Sequence, residues 1–361
     1  MRILEFQIRP LALELKTPLL TARAEYRVRE GAVIELTDGR ARGWGEAMPL
    51  VPFGTEDVGE SLRILAGVAA AIVGENLPEE PRGIDALLDT EPALTSAPAA
   101  RHAVESALLD VIARRRGMPL RALLTKQPRD EVAVGTVVAA AEPEAVAVEA
   151  KAAVASGFQT LKLKLARSAI DVDVRRLAAA RAAVGPEIRI RGDVNGGWSE
   201  SEAGDNLRRV GAVGLELCEQ PVPVGAVARM RSLRGAVPCR IAADESVRSA
   251  ADAATLLEPT PAVDLLVLKP MVLGGLWRSL EIARRAAARG VGTYVSSSLD
   301  GVVARGAAAQ LAAALPGGEW ASGLGVGGLF RDEPERHPVT PRRGRIALDP
   351  TPGLGFDGGV P

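Results

Sequence analysis

The 361-residue chain is poor in the residue types that most often mark a site. Its two cysteines, Cys218 and Cys239, cannot build a disulfide framework, nor a zinc centre by themselves, and fit buried thiols in a reducing compartment. Histidine occurs twice, at 102 and 337, and aromatic residues make up 3% of the chain. Net charge is −1, with no basic block and no interleaving of basic and aromatic residues, which argues against nucleic acid as a partner. No run reaches transmembrane length, and Met1-Arg-Ile-Leu-Glu-Phe-Gln7 carries no signal-peptide core, so the expectation is no membrane partner and a cytoplasmic location. Lysine is scarce too: Lys16, Lys126, Lys151, Lys162, Lys164 and Lys269 stand against 38 arginines.

Two of those six lysines sit in Gln159-Thr-Leu-Lys-Leu-Lys-Leu165. Strict alternation predicts a β-strand with both ammonium groups on one face and Leu161, Leu163 and Leu165 on the other. Arginine keeps its charge, whereas a partly buried lysine can lose a proton and act as a base. In a chain that writes arginine for ordinary cations, this pair points to chemistry.

Residues 1 to about 98 read as an α+β module. Short strands are expected over Arg2–Leu15, Ala22–Arg29 and Ala32–Thr37, then a helix over Thr55–Val73. Two apolar loops, Lys16–Leu20 and Met48–Gly54, suit either packing on a neighbour or a lid. From residue 99 the pattern changes. After a helix over Arg101–Arg115, strand-like runs recur at Glu131–Val138, Thr160–Leu165, Ile188–Asp193, Gly214–Glu219, Arg240–Asp244, Val263–Lys269, Val291–Ser296 and, weakly, Glu319–Ser322. Helical stretches lie between them, with a first-turn proline at Pro143, a capping box at Ser199-Glu-Ser-Glu202, and Gly290 closing Leu276–Arg289. Eight strands alternating with helices predict a TIM-like barrel over a doubly wound open sheet.

In such a barrel the reactive groups stand at the C-terminal strand ends. The strands here end in Lys162/Lys164, Asp193, Glu219, Asp244 and Lys269, one ionisable end per unit, 25 to 29 residues apart. Three carboxylates on adjacent strands make an all-oxygen site suited to Mg²⁺, with lysines on either side. That set suits removal of a proton next to a carboxylate, where a cation stabilises the growing charge and a neutral lysine takes the proton.

Lys162-Leu-Lys164, Gly192-Asp-Val-Asn195, Cys218-Glu-Gln-Pro221, Ala243-Asp-Glu-Ser246 and Leu268-Lys-Pro270 together resemble the enolase superfamily, in its Lys-x-Lys branch. The resemblance implies an α/β fold: a (β/α)7β barrel over 99–324, under an α+β cap over 1–98 that residues 325–361 complete. It implies Mg²⁺, with Mn²⁺ as a substitute, on Asp193, Glu219 and Asp244, with Asn195 and Glu245 supporting them. The mandelate-racemase branch uses a histidine base, and neither His102 nor His337 lies at a strand end. Asn195-Gly-Gly-Trp-Ser199, Ser296-Ser-Ser-Leu-Asp300 and Gly323-Leu-Gly-Val-Gly-Gly-Leu-Phe330 most resemble the o-succinylbenzoate synthases of menaquinone biosynthesis, in their actinobacterial form. Gly192-Asp-Val-Asn and Leu268-Lys-Pro-Met-Val-Leu depart from that family's usual wording while keeping the ligand and the lysine.

This second likeness implies a lyase. Lys164 removes the α-proton and protonates the departing hydroxyl, Lys162 lowers the pKa of Lys164, and Lys269 stays cationic opposite. Ser296, Ser297, Ser298 and the cap loops would hold a small-molecule carboxylate substrate. Racemisation of N-acylamino acids or epimerisation of dipeptides is the competing expectation, ahead of muconate cycloisomerisation and of a non-catalytic barrel. The residues leave the oligomeric state open.

Overall fold

The computed structural model describes residues 1–20, 25–317, 320–331, 333 and 337–356. An antiparallel sheet opens the chain, with strands Glu5–Leu20, Glu25–Thr37 and Arg42–Ala47 in sequence order. Two expected strands, Ala22–Arg29 and Ala32–Thr37, are one, although residues 22–24 lie outside the described region. Gly31 does not break it. A Cβ at Gly31 would lie 2.1 Å from the Ala47 carbonyl oxygen, so the glycine permits close approach of the third strand and makes no turn. Lys16–Leu20, expected as a loop, is the end of the first strand. Met48–Gly54 is a loop with one 3₁₀ turn at Val51–Phe53, and helix Val58–Ile72 follows, capped by the Asp57 side chain on the Glu60 amide.

The second sheet is a curled parallel one. Strands Thr136–Val138, Thr160–Lys164, Arg189–Asp193, Leu217–Glu219, Arg240–Ala243, Leu265–Leu268 and Gly292–Val295 pair in sequence order. Glu131–Val138 is therefore not one strand. Glu131–Ala133 pairs antiparallel with Arg345–Ala347, and the barrel begins at Thr136. The weak eighth strand is reduced to single bridges, Ser322 to Val134 and Gly323 to Ser296, which close the circle; Glu319 lies outside the described residues. The architecture is a TIM-like barrel with an N-terminal α+β cap.

Helix Pro98–Arg115 joins the two halves, and every residue from Ala99 to Ala113 is buried. Such a helix is apolar or paired on all sides. Its contact with the cap is tight enough that a Cβ at Gly45 would meet the Ala103 carbonyl oxygen at 1.9 Å. Buried carboxylates then cap helices from a distance. Glu56 accepts from the Ala99 and Ala100 amides that begin this helix. Glu105, on it, accepts from Leu276 and Trp277 at the start of Leu276–Ala288. Glu46, at the end of the third cap strand, accepts from Gly301, Val303 and Ala304 at the start of Val302–Ala314. Each satisfies amides that a helix cannot bond internally and places negative charge at the positive end of its dipole.

Burial, then the neighbouring Asp300, pushes the Glu46 carboxyl up to about 7, against the pull of its amide donors. A carboxyl raised on folding binds a proton in the native state that the unfolded chain has released, so stability falls as pH rises from about 4.5 to about 7. Glu46→Gln mimics the protonated form. The stability advantage of the native protein over this variant is expected to shrink by roughly 3 kcal/mol between pH 5 and pH 8, read by urea unfolding. A pH-independent difference would refute the assignment.

Candidate active site

Strand register builds the site. Lys164, Asp193 and Glu219 are consecutive partners across three parallel strands, so their side chains leave at one level. Glu219 pairs with Ala242, which sets Asp244 just beyond that level, and Lys269 follows the next strand. Asp193, Glu219, Asp244 and Lys269 are buried, while Lys162 and Lys164 are half-buried.

Cations and anions interleave along this row. Lys162 Nζ lies 2.9 Å from Asp193 Oδ2 and 3.2 Å from Glu219 Oε1. Lys164 Nζ donates to Asp193 Oδ2 at 2.5 Å and to Asn195 Oδ1 at 2.9 Å. Asn195 in turn donates to Glu245 Oε1 at 2.8 Å. At the far end Lys269 donates to Asp244, and its ammonium sits 4.6 Å from the centre of the Phe53 ring, a cap residue. Lys164 and Lys269 thus pair with opposite ends of the carboxylate row. Among the described residues no three acidic, histidine or cysteine side chains converge, as they stand, tightly enough to hold an ion. The reason is visible in the pairing: each carboxylate is drawn onto a lysine.

The donor set still fits a cation. Burial raises Asp193, but Lys162 and Lys164 outweigh it and hold the carboxyl well below the usual range. Burial and then Asp193 push Glu219 up to about 7, against the pull of Lys162. Burial also raises Asp244, against the pull of Lys269. Three carboxylates at the ends of three adjacent strands offer only oxygen donors, a set that suits a hard divalent cation. Desolvation lowers Lys162, yet Asp193, Glu219 and Asp244 together hold its proton more tightly than in water.

A cavity of about 600 Å³ opens above the row. The cap contributes Tyr26, Leu50, Pro52 and Phe53, and the segment that follows the last barrel bridge contributes Val326 and Leu329. Ser296, Ser297 and Ser298 line it as expected, but their hydroxyls differ. Ser297 Oγ donates to Asp300 Oδ2 at 3.1 Å, whereas buried Ser298 Oγ has no partner. Neither histidine takes part: His102 bonds the Glu46 carbonyl oxygen and Ser106, and His337 stacks edge-on against Phe356.

Sequence reasoning missed Tyr294. Its hydroxyl donates to Glu219 Oε2 at 2.8 Å, and its ring lies on the Arg191 guanidinium. The scarcity argument that found the lysines would have found it. The chain has two tyrosines, Tyr26 and Tyr294, and both line the cavity.

Two family models cover most of the chain: "Mandelate racemase / muconate lactonizing enzyme, N-terminal domain" over residues 3–125, and "Enolase C-terminal domain-like" over residues 145–358. The chain belongs to the enolase superfamily. It is 33% identical to the L-Ala-D/L-Glu epimerase of Bacillus subtilis over 319 residues, 87% of this chain and 85% of that protein. The solved substrate-liganded complex of that epimerase matches with a TM-score of 0.89 at 30% identity, covering 98% of each chain. The dipeptide epimerase of Enterococcus faecalis V583, solved with Mg and the dipeptide L-Leu-L-Tyr, matches at 0.88 and 27% identity, over 98% of this chain and 99% of that one. The o-succinylbenzoate synthase of Mycobacterium tuberculosis is 40% identical, but over 195 residues, 53% of this chain and 57% of that protein. Muconate cycloisomerase 1 of Rhodococcus opacus is 31% identical over 327 residues, 89% of this chain and 86% of that protein. The full-length likeness is thus to epimerases and a cycloisomerase alike, and the o-succinylbenzoate synthase likeness is higher in identity but partial.

Because Lys162 neutralises two buried carboxylates, Lys162→Met should cost about 3–5 kcal/mol of stability when measured with a chelator present. An unchanged urea midpoint would show that the ion pairs do not form.

Proposed function

We propose that this protein is a Mg²⁺-dependent enzyme that abstracts a proton α to a carboxylate, and that its reaction is the dehydration of 2-succinyl-6-hydroxy-2,4-cyclohexadiene-1-carboxylate to o-succinylbenzoate. The observation that carries the proton chemistry is the placement of Lys164 and Lys269 at opposite ends of the Asp193–Glu219–Asp244 row. Asp193, Glu219 and Asp244 would hold Mg²⁺, which would supply positive charge against the substrate carboxylate. Lys164 takes the α-proton and delivers it to the departing hydroxyl on the same face. Lys269 remains an ammonium on the other face, with Phe53 beside it. Asn195 orients the Lys164 amine and is itself held by Glu245. The cap, residues 1–98 with 325–361 returning to it, closes the cavity over a barrel formed by 99–324, and Ser298 Oγ is the donor left for the substrate tail.

The support for dehydration is the 40% identity to an o-succinylbenzoate synthase over 195 residues, and the acids of the cavity do not exclude a substrate with an ammonium group. Among the described residues lining the cavity, the carboxylates beyond the triad and Glu245 are Glu142 and Glu149. Glu142 is exposed at the rim, and Glu149 accepts from the Ala139 and Ala140 amides. Glu245 Oε1 accepts from Asn195, but its Oε2 is buried without a partner, so this wall does hold a carboxylate oxygen that could receive a substrate ammonium. The second reading, a racemase or epimerase of N-acylamino acids or dipeptides, draws its support from the full-length relatives.

The lysines separate the two. Lys164→Ala should lower dehydration ~10⁴-fold, the scale of a lost general base. Lys269→Arg keeps the cation but yields no proton. It should retain part of the dehydratase rate and lose α-proton exchange from one face of an N-acylamino acid in D₂O. Equal loss in both variants, with fold and metal binding intact, would exclude one-base dehydration, and native turnover of N-acylamino acids alone would make the protein a racemase. Activity should also vanish with EDTA and return with Mg²⁺ or Mn²⁺; full activity in metal-free protein would sink the proposal. Phe53→Ala, in an exposed loop, should raise KM about tenfold at unchanged Tm if that loop closes over substrate.

A further inference from the structure

Below the carboxylate row the barrel interior carries a second layer that the reaction does not use. Leu217, Ala242, Leu265, Val267 and Tyr294 form a buried apolar cluster inside the strands. Into it projects Arg191, two residues before Asp193 on the same strand and 3% exposed. Its Nε donates to Glu216 at 2.6 Å and its Nη1 to the Ala321 carbonyl oxygen at 2.7 Å. Its guanidinium carbon lies 4.7 Å from the centre of the Tyr294 ring. The ring is 2% exposed, and its hydroxyl ends 2.8 Å from Glu219 Oε2. The groups form one continuous stack, Glu216–Arg191–Tyr294–Glu219.

A stack of this kind has a physical consequence for Glu219. Lys162, the other donor to that carboxylate, approaches its two oxygens at 3.2 and 3.3 Å and is shared with Asp193, so it does not fix the plane of the carboxylate. Tyr294 does. Its rigid ring is clamped between the apolar cluster and a guanidinium that is itself tied at two atoms, so the hydroxyl can reach only Oε2. A cation on the ring face also draws electron density from the phenol and strengthens the hydroxyl as a donor. Partners behind a ligating carboxylate set its orientation, and their loss costs about 10–100-fold in metal affinity.

We infer that Tyr294 is a positioning residue for the metal: its hydroxyl, braced by Arg191, orients Glu219 as a ligand of the divalent cation. The inference rests on the proposed Mg²⁺ site but not on the identity of the substrate. It assigns one oxygen, Oε2, to Tyr294 and leaves Oε1 to the ion.

The experiment is Mn²⁺ binding to the full-length protein without substrate, by calorimetry and by the electron paramagnetic resonance spectrum of the bound ion, for native protein and Tyr294→Phe. The Phe variant keeps the ring and its stack on Arg191 and removes only the hydroxyl. It is expected to bind Mn²⁺ at least tenfold more weakly with an altered bound-ion spectrum, while the Tm of the metal-free protein changes by no more than a few degrees. Native binding with equal affinity and an unchanged spectrum in the Phe variant overturns this inference alone. A native protein that binds no Mn²⁺ takes down the metal site on which it rests, and the inference with it.

Discussion

Three carboxylates buried side by side at the mouth of one barrel are the constraint from which the rest of the site follows. Adjacent strands are about 4.8 Å apart, too close for unscreened like charges in a dry pocket. Every feature around the row answers that repulsion. Lys162 lies between Asp193 and Glu219, Lys164 holds the outer side of Asp193, and Lys269 holds Asp244. Glu219, with the weakest cationic support, is the carboxyl that rises to about 7 and that takes a neutral donor from Tyr294. The interleaved charges that make the site costly are also the chemistry that a divalent cation and a carboxylate would need.

The cap meets the same difficulty by other means. Glu46, Glu56 and Glu105 are buried carboxylates without a lysine, and each is satisfied by amides at a helix N-terminus. Two of these links run between distant segments and fix the cap sheet and helix Pro98–Arg115 to barrel helices. The chain leaving Glu46 leads directly to Met48–Gly54, so the anchor that ties cap to barrel also determines where Phe53 stands over Lys269. Asp300 belongs to the same joint. It organises Ser297 and Ser298 by hydrogen bonds and lies close enough to Glu46 to raise its carboxyl. The serine wall of the cavity and the cap loop opposite it are therefore set by one cluster of buried polar contacts.

Family membership narrows the chemistry more than the substrate. The relatives that match across most of the chain include dipeptide epimerases, a racemase and a muconate cycloisomerase, while the o-succinylbenzoate synthase match covers about half of it. Both proposed reactions would begin with removal of a proton beside a carboxylate. What separates them is the fate of the second face and the groups that hold the rest of the substrate, and those lie in the cap loop and the glycine-rich Gly323–Leu329 wall. Loops diverge faster than strand ends because they carry binding and not the fold.

The sequence by itself determined the barrel, its inward parity and the row of ionisable strand ends. Each of these is a local property: a period of two along a strand, and one charged end per βα unit. Parity along the strands selects Leu215, Leu217, Leu265 and Val267 as inward. The last three do join one cluster inside the barrel, while Leu215 precedes its strand and packs in the other cluster. Elsewhere local signals misled. Gly31 reads as a break and is a point of close approach; Glu131–Val138 reads as one strand and divides because its first half pairs with Arg345–Ala347, far away in sequence. Only tertiary structure decided the partners: Tyr294 on Glu219, Arg191 beneath Tyr294, Phe53 over Lys269, and Glu46 across to Gly301. Those contacts depend on strand register and on how the cap docks. Both are set by non-local packing, which no window of sequence contains.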